Sequence, residues 1–222
     1  MAQIYNAELT PSKNQVIATV LGTDEADIEK LASYRFDDPA GQIGMEVHIV
    51  RTPDGSVLQV PLVYRPEPLE DAEEDELITT MEHSVLGTRY VYLGMSDPVF
   101  AEALDMTISE ERSGAEQFLV DGDTQTPITE GLATVTGTGE IELEEEEDDE
   151  NLIGVLELFA ELDLDGLSEE EAAQPGQLIG TWEGQDTPVL LAHSGLVYVD
   201  DEEFEEFDEE GDEDLDDEND DK

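Results

Sequence analysis

The stretch 42-QIGMEVHIVR-51 alternates Ile43, Met45, Val47 and Ile49 with Gln42, Gly44, Glu46 and His48. A period of two is that of a half-buried strand, one row of side chains facing the core and the other facing water. Thr52-Pro53-Asp54-Gly55 follows as a turn, because proline pre-sets φ and glycine tolerates the backbone that an Asp-Gly turn requires. A partner strand is predicted from about Val57 to Tyr64, and Pro61 inside it demands an edge or a missing ladder bond. This hairpin is the clearest local structure in the chain.

Outward from the hairpin the elements mix. Towards the amino terminus, residues 3–9 alternate as a short strand. Thr10-Pro11 reads as an N-cap with proline at the first helical position, ahead of a stripe of Val16, Ile17, Val20 and Leu21 that stops at Gly22. A second short helix is expected from Asp24 to Ala32, presenting Ile28 and Leu31. Towards the carboxyl terminus, Arg89–Leu93 is a strand candidate. Ser96-Asp97-Pro98 can cap a helix whose face holds Phe100, Leu104 and Ile108. Residues 109–130 look loop-rich, with Phe118–Val120 able to pair as a strand, and 131–143 alternate in places. The segment 152-LIGVLELFAEL-162 leans towards helix, whereas 177–181 and 189–191 read as strands.

Two acidic runs, 70-EDAEEDE-76 and 144-EEEEDDE-150, are expected as exposed loops. From Asp200 to Lys222, 17 of 23 residues are Asp or Glu. Such a segment cannot bury enough apolar area to offset its ordering entropy, so a disordered tail is expected there. The domain expectation is accordingly 1–108, a strand-rich region 109–199 packing on or extending it, and the tail 200–222.

Charge sets the wider frame. The chain of 222 residues holds 61 Asp plus Glu against 8 Lys plus Arg, a formal net charge of −53, while 38% of its residues are apolar. Concentrated salt relieves that self-repulsion, since the Debye length falls from about 8 Å at physiological ionic strength to about 3 Å at 1 M. The balance therefore points to a salt-adapted protein; the alternative is an acidic surface that binds cationic partners. Nucleic acid and anionic membrane are disfavoured as partners, because both need clustered Lys and Arg. The start MAQIYNAEL has neither the basic nor the apolar part of a secretory signal, and no run nears the ~20 apolar residues of a membrane span. A cytoplasmic protein is expected, with no cysteine chemistry because there is no Cys.

No self-contained catalytic constellation is present. Residues 82-EHS-84 are consecutive, so on a strand they face alternate sides, and no nucleophile elbow accompanies them. The three histidines, His48, His83 and His193, lack metal-ligand spacing. In 161-ELDLDGLSEEE-171 the glycine and glutamate positions of a calcium loop do not fall in register. No metal and no cofactor are expected, nucleotide included. Arginine is more informative, since so few are kept. Arg35, Arg65 and Arg89 could converge with His83 on an anionic ligand or on a partner's carboxylates. The alternative is that they pair internally with Asp37, Asp38, Glu46 or Glu82 through arginine's rigid fork. Trp182 is either a sugar-stacking platform or a core aromatic.

The stretches 34-YRFDDPAGQIGMEVHIV-50, 58-LQVPLVYRPEPLE-70 and 78-ITTMEHSVLGTRYVYLGMSDPVF-100 resemble, in order and spacing, the N-terminal cap domain of bacterial maltokinases. They are closer still to small free-standing proteins that carry only that cap, here in a halophilic version. 178-LIGTWEGQDTPVL-190 is similar to the later part of that group. The resemblance implies an α+β fold: a curved antiparallel sheet with packed helices, then a strand-rich C-terminal region. It places Arg35, Asp37, Asp38, Gly41, Arg65, Glu82, His83 and Arg89 in the cap's shared pattern and not in a phosphotransfer site. Maltokinases phosphorylate maltose with ATP through kinase-like lobes that follow the cap, and nothing downstream here supplies their catalytic aspartate. The cap's usual W-[FY]-x-G-K is also replaced by 21-LGTDEADIEKL-31. The reading that results is a non-catalytic binding or accessory protein of α-glucan metabolism, with a carbohydrate-metabolising enzyme or a glucan as partner. The alternatives are a small carbohydrate-active enzyme using Glu82 and His83, or a purely structural salt-tolerant domain. The oligomeric state stays open.

Overall fold

A computed structural model describes residues 1–70, 72, 73, 76–141 and 152–198. The expected tail at 200–222 and the acidic run 144–150 lie outside the described residues, as do three positions of the run at 70–76. The fold is α+β. Chain contacts define one compact unit of Met1–Ile141 with Leu156–Ser194. The remaining unit is Glu142–Val155 with Gly195–Lys222, whose described residues are the outer ends of two strands.

The strands are β1 (Ala2–Tyr5), β2 (Leu9–Thr10), β3 (Glu29–Phe36), β4 (Gly44–Arg51), β5 (Val57–Arg65), β6 (Leu77–His83), β7 (Gly87–Leu93), β8 (Gln117–Asp121), β9 (Thr124–Pro127), β10 (Thr134–Gly137), β11 (Leu152–Leu158), β12 (Gln177–Trp182) and β13 (Gln185–Tyr198). The helices are α1 (Lys13–Leu21), α2 (Pro98–Ser109) and the single turn α3 (Glu169–Ala172). The central element is a curved antiparallel sheet of six strands in the order β2-β6-β7-β5-β4-β3. A second sheet runs β10-β12-β13-β11, and β1 pairs in parallel with β8 of the β8–β9 hairpin.

The β4–β5 hairpin forms as the sequence predicts, with Gly44 opposite Tyr64 and Arg51 opposite Val57. Pro61 is tolerated because β7 pairs with β5 only from Leu62 to Arg65, which leaves Pro61 one step beyond that ladder. β4 is not half-buried, however. Met45, Val47 and Ile49 are fully enclosed on one face, and Glu46 and His48 are enclosed as well on the other. The polar row of the alternation faces the underside of α1, not water.

Each face of the sheet has its own layer. Ala32, Tyr34, Phe36, Met45, Val47, Ile49 and Val63 pack against Phe100, Leu104 and Ile108 of α2, and against Leu178, Trp182, Val189 and Leu191 of the second sheet. The stripe on α2 is the predicted one, and Asp97 caps the helix through Val99 N–H with Pro98 at its start. The opposite face gathers Val50, Val60, Leu62, Tyr64, Met81 and Val91 under Val16 and Ile17 of α1. Gly22 ends α1 in the left-handed conformation.

Three local expectations are corrected. The cap of α1 is Ser12 in a capping box with Gln15, not Thr10, because Leu9 and Thr10 are drawn into the sheet opposite His83 and Glu82. The helix expected at 24–32 is a single turn at Glu25–Asp27 running into β3, since pairing with β4 buries Ala32, Tyr34 and Phe36 together. Leu152–Leu158 is a strand, its short apolar run satisfying either period until pairing decides.

Candidate functional site

A cleft of about 920 Å³ opens beside the six-stranded sheet, within the range of small-ligand sites. Its walls are β1, the loop between β3 and β4, and the β6–β7 turn. Among the described residues, Lys13, Arg35 and Arg89 line it, three of the chain's eight Lys and Arg, with Asp37, Asp38 and Glu67 as its acids. Tyr5, Tyr64 and His83 contribute rings.

The floor is an ionic cluster under α1. Arg35 Nη1 donates to Glu46 Oε2 at 2.7 Å, and Lys13 pairs with the same carboxylate oxygen while its ammonium lies 5.7 Å from the Tyr64 ring centre. His48 Nδ1 stands 3.7 Å from Glu46 Oε1, and neither ring nitrogen has a hydrogen-bond partner. Burial pushes the His48 ring down to about 3, against the pull of Glu46, so it is neutral at ordinary pH. Burial pushes the Glu46 carboxyl up, but the Lys13 and Arg35 charges hold it well below the usual carboxylate range. Lys13 is lowered by burial, with Glu46 opposing.

The loop wall is built from acids already engaged. Asp38 accepts the backbone N–H groups of Ala40, Gln42 and Ile43 at 2.8, 2.7 and 2.8 Å. Burial would raise its carboxyl; those three donors and the Arg65 charge outweigh it and keep it low. Asp37 pairs with the amino group of Met1.

On the opposite wall, His83 Nδ1 accepts N–H from Val85 at 3.2 Å and Leu86 at 3.1 Å, which fixes the hairpin turn and leaves Nε2 to carry the ring proton. Burial and Arg89 both push His83 down. Tyr5 packs edge-on to that ring. Arg89 Nη2 donates to the Leu86 carbonyl at 2.9 Å, and among the described residues no carboxylate lies within ion-pair distance of it.

Of the residues singled out from sequence, the cleft brings together Arg35, Asp37, Asp38, His83 and Arg89. Arg65 is elsewhere, pairing at 2.8 Å with the fully buried Asp97, a carboxylate not among the partners considered for it. Glu82 accepts from Thr88 Oγ1 on the exposed side of β6, so it and His83 do not converge. Trp182 is 7% exposed within the apolar core and borders a separate cavity of about 350 Å³ with Glu183 and Asp186. Sequence reasoning missed Lys13 and Tyr64 as wall residues. The one available signal was that a lysine had been kept at the start of a helix in a chain nearly devoid of them. Among the described residues, no group of three His, Asp or Glu side chains is placed to hold a metal ion, and no helix is long and apolar enough to cross a membrane.

The curved sheet with Arg35, His83 and Arg89 on its strands is the segment that comparison with known families recognises. Residues 20–97 match the maltokinase N-terminal cap domain. That match takes in β3 to β7 and ends at the Asp97 cap of α2. The cap segment supplies Arg35, Tyr64, His83 and Arg89 to the cleft, whereas Lys13 and the β1 wall precede it. A cap-domain fold is consistent with an accessory, non-catalytic role. No curated protein matches the chain.

Proposed function

We propose that this chain is a non-catalytic binding or accessory protein of α-glucan metabolism, adapted to a salt-rich cytoplasm, and that the cleft beside the cap sheet is its binding face. One observation carries the reading. A chain with 8 basic residues commits three of them, with Tyr5 and Tyr64, to one concave surface whose aspartates are already engaged. Rings and fork-shaped donors around a cleft suit a sugar or a partner's polar side chains, and binding would rest on the desolvated arginine and tyrosine contacts. The cap-domain match supports the metabolic setting.

Calorimetric titration of maltose, longer maltooligosaccharides and glycogen in molar KCl tests it. Saturable binding that Arg89→Ala and Tyr5→Ala weaken, with no turnover of the sugar, is the expected result. Failure of every glucan to bind would overturn it, as would sugar release that Glu82→Gln or His83→Ala abolishes. Salt adaptation has its own measurement. The urea unfolding midpoint is expected to rise with KCl, and a midpoint independent of KCl would sink that part of the reading.

A further inference from the structure

Two cations of the cleft floor converge on one carboxylate. Lys13 and Arg35 both pair with the same oxygen of Glu46, and the neutral His48 adds no charge. Of the lining acids, Asp37 pairs with the terminal amino group and Asp38 accepts from three backbone donors. Hydrogen bonding is incomplete at the same place. Arg35 is 8% exposed, its Nη1 is used by Glu46, and its buried Nε has no partner. Arg35 Nη2 lies beside Gly44, where a Cβ would stand 3.1 Å from it. The buried Tyr64 hydroxyl is likewise unpartnered.

The Nε and Nη2 protons of a guanidinium lie parallel along one edge, at the spacing of two oxygens of a carboxylate or phosphate. We propose that this edge of Arg35, with Tyr64 beside it and Arg89 at the rim, is the binding site for an oxyanion carried by a small ligand. The inference rests on reading the cleft as a binding face and names the chemistry that face takes. An oxyanion supplies two acceptors to those unpartnered donors in one contact. Gly44 leaves room at this edge, because a Cβ there would stand 3.1 Å from Nη2. The long-range repulsion of a −53 chain is screened within about 3 Å in molar salt, whereas the guanidinium edge acts at contact distance.

The test follows the arginine Nε–H signals of the full chain by ¹H–¹⁵N NMR in about 1 M KCl, while inorganic phosphate or acetate is added. Arg35 Nε–H is expected to shift and saturate at millimolar anion. Arg35→Lys, which keeps the charge and loses the edge, should abolish saturation. Because that variant disturbs Glu46, Gly44→Ala serves as a second one: it removes no charged group and should weaken binding about tenfold, a change of about 1.4 kcal/mol. Saturation by acetate as well as phosphate assigns a carboxylate ligand, and by phosphate alone a phosphate ester. A shift that stays linear with both anions, or equal affinity in Gly44→Ala, overturns the proposal. Glucan binding without any anion response removes the oxyanion site and leaves the binding face. Anion binding without any glucan response does the reverse to the α-glucan assignment.

Discussion

The two faces of the six-stranded sheet solve burial in opposite ways. Against α2 and the second sheet, an apolar layer surrounds Tyr34 and Gln59, and those two satisfy each other: the Tyr34 hydroxyl donates to Gln59 at 2.8 Å, and the Gln59 amide donates to the Phe159 and Leu191 carbonyls. Against α1, the face encloses Arg35, Glu46 and His48 on the strands and Lys13 from the helix, with several polar atoms unpartnered. Apolar packing is non-directional and indifferent to pH. An enclosed ionic cluster is neither, because it depends on each charge keeping its partner. The ionic floor of the cleft, with Lys13, Arg35 and Tyr64, is built on the second face. In this molecule the face that packs best is separate from the face that is chemically unfinished.

The comparison can be broken most severely on the apolar face. Phe100→Ala removes a fully buried ring that stacks edge-on to Phe36 at 5.4 Å, and should lower the unfolding free energy by about 3–5 kcal/mol in urea titration. Glu46→Gln tests the other face. It leaves Lys13 and Arg35 enclosed with no counter-charge, and a loss of about 3 kcal/mol is expected. A loss below about 1 kcal/mol would mean that the cluster is more hydrated than its burial indicates.

The pH dependence separates the faces more finely. His48 takes up a proton near its ordinary 6.5 when unfolded but only at about 3 when folded. The unfolded chain therefore binds more protons in that interval, and stability is full above 6.5 and declines as pH falls towards 3. Glu46 adds to the decline at lower pH, since its depressed carboxyl contributes stability above its ordinary 4.5 that is lost as pH falls further. His48→Gln should flatten the upper part of the curve, recovering about 2 kcal/mol of the decline between neutrality and pH 5. Phe100→Ala should shift the whole curve without changing its slope. The smallest effect belongs to Arg51→Ala, whose pair with Glu29 is exposed; less than about 0.5 kcal/mol is expected.

Legibility from sequence followed the range of the forces involved. The β4–β5 hairpin and α2 were readable because turn chemistry, capping and period agree within a dozen residues. The helix expected at 24–32 failed because Ile28 and Leu31 fit a helical spacing locally, while β4 offered Ala32, Tyr34 and Phe36 a paired edge that lies beyond the local window. The second buried face of β4 was invisible for a related reason. Glu46 and His48 read as solvent-facing until Lys13, 33 residues from Glu46, closes over them. Arg35 and Arg89 line the cleft, whereas Arg65 pairs with Asp97, the N-cap of α2, a partner that no local pattern indicated.

Gln59 carries one more consequence. It lies inside the stretch that matches the cap domain, yet both carbonyls its amide serves, Phe159 and Leu191, lie some hundred residues downstream. A fragment cut at Asp97 would keep the recognisable motif and lose α2, the second sheet and both of those acceptors. The segment that sequence comparison delimits thus takes hydrogen-bond acceptors from chain that lies beyond it.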